Sequence, residues 1–254
     1  MLKEPKRPTG CRMERCDTMA NLCPDTYIRV NGVMVKSYLL TEHNPNKIDM
    51  PSKRVKPLAG VTIHNTGAIK VSGTTTAEQY TRATRNGNMN SVRVHYYVDD
   101  KEAWQNLPLD WQGWHAADGN GDGNTATIAI ECIGPSAEAE DNTARLAAWL
   151  LKQNGMGVAQ LYTHTYWLNV RDGRGAKLSK DERCVLSHPY KVCPIYIIPH
   201  WSDFVAKVKR YIGETAKPSK MYYVQVGAFK SKENAEAYLA SVKQDYPGAF
   251  IKEL

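Results

Sequence analysis

Thr127-Ile-Ala-Ile-Glu-Cys-Ile133 is a short β-branched run with a carboxylate, Glu131, in its middle. Such a run reads as a buried strand. A carboxylate inside it is costly to bury unless it is paired, neutral or beside a metal; the plain alternative is a glutamate facing solvent. Working outward, Gly60-Val-Thr-Ile-His64 is a second β-branched run, read as a central strand that ends in a histidine. Val92–Val98 alternates and carries His95, and Ala159–His164 is a further strand closed by a histidine. Between them, Thr76-Ala-Glu-Gln79 is a capping box opening a helix to Arg85, with Gly87 as its stop. Residues 142–154 place Leu146, Trp149, Leu150 and Gln153 at helical spacing, and Ser202 precedes a helix carrying Phe204, Val205, Val208 and Ile212. Tyr27, Arg29, Val33 and Val35 flank Asn31-Gly32, the signature of a two-residue hairpin turn. Strands alternating with helices predict an α/β domain over residues 26–213.

The flanks read differently. Residues 1–25 have no hydrophobic period, and Cys11, Cys16 and Cys23 lack the second close pair that a zinc finger requires. They read as free cysteines in a flexible tail. Glu214-Thr-Ala-Lys-Pro-Ser-Lys220 reads as a linker. Beyond it, Met221–Phe229 alternates as a strand, Ser231 caps a helix with Ala235, Tyr238, Leu239 and Val242 on one face, and Ala249–Leu254 is a last strand. This βαβ unit over 221–254 falls below the ~40 residues that a domain usually needs to fold unaided.

At 254 residues, 42% hydrophobic and 23% charged, the chain is neither disordered nor fibrous. Its longest apolar stretches are short, such as Val192–Ile198 interrupted by Pro194, so no membrane insertion is expected. Met1–Pro24 lacks the apolar run of roughly 7–15 residues that marks a secretory signal. Synthesis in the cytoplasm, with reduced cysteines, is the expectation. The net charge of +7 invites a nucleic-acid partner, yet residues 58–140 carry 5 basic and 10 acidic groups, and no Lys/Arg cluster is interleaved with aromatics. No nucleic-acid partner is expected.

The chemistry-bearing residues gather at predicted strand ends. His64, His164 and Cys193, the last in Tyr190-Lys-Val-Cys-Pro194, offer the imidazole and thiolate donors that zinc prefers. Three protein ligands leave its fourth position open. His188, five residues before Cys193, is an alternative local ligand. Asp118-Gly-Asn-Gly-Asp-Gly123 fits half of a calcium-binding loop, but Ala129 stands where a bidentate Glu is required, so a turn-rich loop is the better reading.

Val61-Thr-Ile-His-Asn-Thr66, His95-Tyr-Tyr-Val-Asp-Asp100, Trp114-His-Ala116, Asn124 with Ile128-Ala-Ile-Glu131, and Lys191-Val-Cys-Pro194 together resemble, in that order, the type-2 N-acetylmuramoyl-L-alanine amidases. These are zinc enzymes of bacterial cell-wall lysis, common among phage endolysins and related to peptidoglycan recognition proteins. The resemblance covers about residues 58–213. It implies a central mixed β-sheet flanked by helices, Zn2+ as cofactor, and peptidoglycan (glycan strands and stem peptide) as partner, acted on after release from the cell. It makes His64 the first zinc ligand and Cys193 the third, with His164 preferred over His188 as the second because a strand–helix context fixes it on the sheet edge. It gives Glu131 the proton transfers, Lys191 the oxyanion, and Asn65, His95, Trp114, His115 and Asn124 places along the substrate groove, with packing under the sheet the open alternative for His95, Trp114 and His115. The bond attacked is the amide between the lactyl group of N-acetylmuramic acid and L-alanine. The 28 residues between His164 and Cys193 exceed the family's short loop, and residues 165–187 are expected to shape a groove wall. Tyr222-Tyr-Val-Gln-Val-Gly-Ala-Phe229 with its helix resembles the first half of a SPOR domain, a module that binds glycan strands. This half unit implies wall binding, and two readings of how it is completed stay open: a homodimer through residues 221–254, or packing on the catalytic domain as an extension. Two alternatives stay open: a non-catalytic peptidoglycan-binding module, and a Cys193 thiol nucleophile with a histidine base.

Overall fold

The computed structural model describes residues 22–66, 76–213, 229 and 231–245. The chain divides into two units, 1–215 and 216–254. In the first, β1 (Thr26–Val30) and β2 (Val33–Ser37) form the hairpin predicted at Asn31-Gly32. Both turn residues have positive φ, 46° and 90°, which is what a tight turn between right-twisted strands demands. With β3 (Gly60–Asn65), β4 (Tyr96–Val98), β5 (Glu102–Gln105), β6 (Thr127–Cys132) and β7 (Leu161–Thr163) they make one sheet in the order β1-β2-β5-β4-β6-β3-β7. The four strands β4, β6, β3 and β7 run parallel, while β5 is antiparallel to β4. The sheet is therefore mixed, as expected.

Register sets the site. His64 lies opposite Glu131, Glu131 opposite Tyr97, and Ile63 opposite Thr163. The carboxyl ends of β6, β3 and β7 thus finish level with one another, and His164 follows directly on the last. Ends of this kind in parallel sheets are where α/β proteins build their sites.

One face of the sheet buries Val61, Ile63, Ile128 and Ile130 against Leu146, Leu150, Phe204 and Val208. Those partners come from α3 (Ala137–Gln153) and α6 (Trp201–Gly213). Tyr97, Ala129 and Trp104 belong to a second cluster with Tyr38, Leu40 and Ala77, the first residue of α1 (Ala77–Arg85). Thr76 and Gln79 close the predicted capping box on α1.

Several boundaries move. The strand predicted at Val92–Val98 shrinks to Tyr96–Val98, because the backbone of Arg93 leaves the sheet and pairs with Trp114 in an isolated antiparallel bridge. α3 begins five residues earlier than its apolar spacing suggested, behind Ser136, whose hydroxyl accepts from the Ala139 N–H. α6 starts at Trp201, so Ser202 is inside it and not its cap. His164 does not close a strand; it opens α4 (His164–Arg171), capped by Thr163. Residues 165–187 are mostly helical, with α5 (Lys180–Val185) behind a Ser179–Glu182 capping box that sequence reading passed over. The 118–123 segment leads into the short α2 (Asp122–Ala126), with Asp118 accepting from the N–H groups of Gly123 and Asn124. Cys23 is disulfide-bonded, against the expectation of free thiols in the tail.

In the second unit, α7 (Lys232–Asp245) forms as predicted, with the Ser231 hydroxyl accepting from Asn234 and with Ala235, Leu239 and Val242 half-buried. The rings of Phe229 and Tyr238 lie 5.2 Å apart. The strands predicted at 221–228 and 249–254, the linker 214–220 and residues 1–21 lie outside the described residues.

Candidate metal centre

β3, α4 and the segment before Pro194 bring His64, His164 and Cys193 together, each offering a ligand atom within 4.8 Å of the others, and all three buried. His64 Nδ1 stands 3.9 Å from Cys193 Sγ and 4.0 Å from Glu131 Oε1. Neither ring nitrogen of His164 meets hydrogen-bond geometry with a described residue. Burial, reinforced by the Lys191 charge, lowers its pKa to about 3, and among its neighbours only the backbone at Ala116 favours the cationic ring. His64 is likewise driven well below its ordinary value, by burial first and then by His164 and His115. Two neutral imidazoles and a thiol converge on one point, and a buried ring whose nitrogens have at most the Ala116 backbone nearby is what a cation would satisfy. Two imidazole nitrogens with one thiolate sulfur form a donor set that zinc favours.

Burial pushes the Cys193 thiol up to about 12. Without a metal it stays protonated at neutral pH, which leaves the thiol-nucleophile alternative with no thiolate; a bound cation would displace the proton. Cys193 is held by Thr165. Its N–H donates to Thr165 Oγ1 at 2.7 Å, and its carbonyl accepts from the Thr165 hydroxyl and N–H at 3.0 and 2.9 Å. The residue beside one candidate ligand thus clamps another. Sequence reasoning missed Thr165; its one signal was adjacency to His164.

Glu131 points to the same place, with 14% of its side chain exposed. Its Oε2 has no partner among the described residues. Burial raises its pKa to about 7, opposed by the nearby Lys191 charge. Lys191 itself is exposed.

The remaining candidates separate. His188 is buried, but its Nε2 pairs with Asp172 at 2.9 Å and its Nδ1 accepts from the Tyr190 N–H, so both nitrogens are spent away from the cluster. His95 has no exposed surface. Its Nδ1 accepts from Ala129 N and its Nε2 donates to the Trp111 carbonyl, which makes it a buried brace between β6 and the loop that follows β5. Asn65 is also buried, donating to the Cys132 carbonyl and accepting from Tyr196 N. Asn124 is buried with its side chain spent on the backbone of His115, Ala116 and Gly119. His115 stands behind His64, its Nδ1 3.0 Å from His64 Nε2. Of the five residues expected along the groove, only Trp114 is partly exposed.

These features define an α/β protein with a candidate metal site, its donor side chains gathered at the carboxyl ends of parallel strands. Residues 54–194 match the N-acetylmuramoyl-L-alanine amidase family, and residues 218–253 match the SPOR domain. The first match spans more than half of the chain, and the chain belongs to that amidase family. It is 31% identical over 162 residues to N-acetylmuramoyl-L-alanine amidase XlyA of Bacillus subtilis (strain 168), covering 62% of this chain and 46% of that one. The amidase CwlH of the same organism is 27% identical over 203 residues, covering 78% and 70%. The chain therefore spans about half the length of XlyA and more of CwlH. A solved mutant endolysin from Bacillus subtilis superimposes with a TM-score of 0.53 at 27% identity, covering 69% of this chain and 99% of that one. No helix among the described residues is long and apolar enough to cross a membrane.

Proposed function

We propose that the chain is a zinc-dependent peptidoglycan hydrolase that cleaves the amide between the lactyl group of N-acetylmuramic acid and L-alanine. The observation that carries this reading is the buried His64–His164–Cys193 cluster with Glu131 beside it. His64, His164 and Cys193 hold the metal. When bound, zinc supplies a Lewis acid and lowers the pKa of a coordinated water. Glu131, with a carboxyl poised near neutrality and one oxygen unpartnered, takes up a proton and returns it to the leaving amine. The exposed Lys191 ammonium meets the oxygen of the attacked carbonyl as it gains negative charge. Catalysis is assigned to residues 26–213, and glycan-strand binding at the cell wall to residues 221–254, joined by 214–220. The match of 218–253 to the SPOR domain supports the second assignment. Two copies pairing through 221–254 would complete the half-length unit; sedimentation as a monomer at micromolar concentration overturns that pairing.

The test of the main reading is zinc content together with digestion of purified cell walls. Equimolar zinc, new N-terminal alanine in the digest, loss of both on chelation, and a Glu131→Ala variant that keeps its metal but releases no alanine are expected. Retention on walls without zinc and without hydrolysis would refute it in favour of a binding module.

A further inference from the structure

Two ring nitrogens of His64 face opposite ways. Nδ1 looks into the ligand cluster, towards Cys193 Sγ and Glu131. Nε2 looks backward, 3.0 Å from His115 Nδ1, with the two rings edge to face at 89°. A neutral imidazole carries one N–H. For Nδ1 to offer a lone pair to a cation, the proton must reside on Nε2, and His115 Nδ1 is the acceptor in place to keep it there. That role obliges His115 to be neutral, with its own proton on Nε2. The ring is buried, and its Nε2 has no partner among the described residues.

The mount of His115 is unusually complete. Its N–H and that of Ala116 both donate to Asn124 Oδ1, at 2.7 and 2.8 Å. Asn124 Nδ2 donates to the Gly119 carbonyl, and the Asp118 carboxylate accepts from the N–H groups of Gly123 and Asn124. Gly113 lies against the ring: a Cβ there would stand 2.5 Å from His115 Cδ2. The segment that imitates half of a calcium loop is thus a bracket for one imidazole.

We propose that His115 is a positioning residue for the metal centre: it accepts the Nε2–H of His64, fixes that ring's tautomer and orientation, and so presents Nδ1 to the cation, with Asp118 and Asn124 holding it in register. This rests on the zinc reading above. Partners that orient a ligating histidine through its other nitrogen are typically worth ~10–100-fold in metal affinity.

The test uses the full chain. His115→Phe keeps a planar ring and removes the acceptor; His115→Asn restores an oxygen near the place of Nδ1. Zinc affinity by chelator competition is expected to fall ~10–100-fold in His115→Phe and to recover most of that loss in His115→Asn. Two-bond 15N correlation spectra of the metal-free wild type are expected to show His64 protonated on Nε2. Unchanged zinc affinity in a folded His115→Phe, or a His64 proton found on Nδ1 in the wild type, overturns the proposal. Should His115→Phe fail to fold, the wild-type tautomer alone decides. A wild type that binds no zinc sinks the hydrolase reading, while the tautomer measurement still judges the role of His115 separately.

Discussion

Replacing Glu131 with Gln should stabilise the metal-free protein at pH 8 and do far less at pH 4. Burial raises the Glu131 pKa from 4.5 to about 7. The folded state therefore holds this proton more tightly than the unfolded chain does. Stability from this group is greatest at low pH, declines as pH rises from about 4.5 to about 7, and stays at its lower level above that. A difference of roughly 2.5 pKa units at about 1.4 kcal/mol each corresponds to a penalty on the order of 3 kcal/mol at pH 8. Glutamine has the same shape and carries no charge, so it removes the penalty. Its amide also needs partners, and a shortfall there costs about 1–3 kcal/mol at every pH. The diagnostic quantity is therefore the change in the mutant-minus-wild-type difference between the two pH values. Burial also pushes down the pKa values of His64, His115 and His164, which tilts stability the other way, but both proteins share those groups and the subtraction cancels them. Urea denaturation of metal-stripped protein at pH 4 and 8 gives the quantity directly. A change below about 1 kcal/mol would refute the reasoning and mean that the exposed edge of the carboxylate, or Lys191, solvates it sufficiently. Zinc should shrink the gain, because a nearby cation favours the carboxylate that burial disfavours.

Thr165→Val should destabilise the fold by about 2 kcal/mol and weaken zinc binding, since it leaves the buried Cys193 N–H without its 2.7 Å acceptor; denaturation and chelator competition measure the two effects. Gly60→Ala should cost on the order of 3 kcal/mol or more, because its Cβ would fall 2.0 Å from the Gln160 backbone oxygen. A thermal melt within a degree of wild type would contradict this. His188→Gln should keep its zinc while His164→Gln loses it, as read by metal content after dialysis; the reverse pattern would exchange their roles.

Much of the fold was legible because its signals are local. The Asn31-Gly32 turn needs only two residues that tolerate positive φ, and the Thr76–Gln79 box is complete within four positions. Glu131 was legible as a chemical anomaly, a charge inside an apolar strand. What stayed hidden depends on pairing across distance. Nothing near His95 in the chain announces that Ala129 and Trp111 will consume both of its nitrogens, and nothing near Asn65 announces Cys132 and Tyr196. Both were read as facing a groove because a polar residue beside a strand end looks the same whether its partner is substrate or backbone. α5 was a different failure: the Ser179–Glu182 signal was present and local, but the following helix is only six residues long and carries little apolar period to reinforce it.

The long excursion between His164 and Cys193 explains how two residues so far apart in sequence reach one point. The excursion is stitched back to its starting strand and helix at successive steps. Thr163 Oγ1 donates to the Cys184 carbonyl, Asn169 Nδ2 to the Leu186 carbonyl at 2.7 Å, His188 Nε2 meets Asp172, and Thr165 grips Cys193. Each bond joins a residue at or near α4 to one later in the returning chain. Cys193 is accordingly delivered beside His164 by the same helix that His164 begins. Whatever surface residues 165–187 present to a substrate, their side-chain bonds make them a brace for the candidate metal centre.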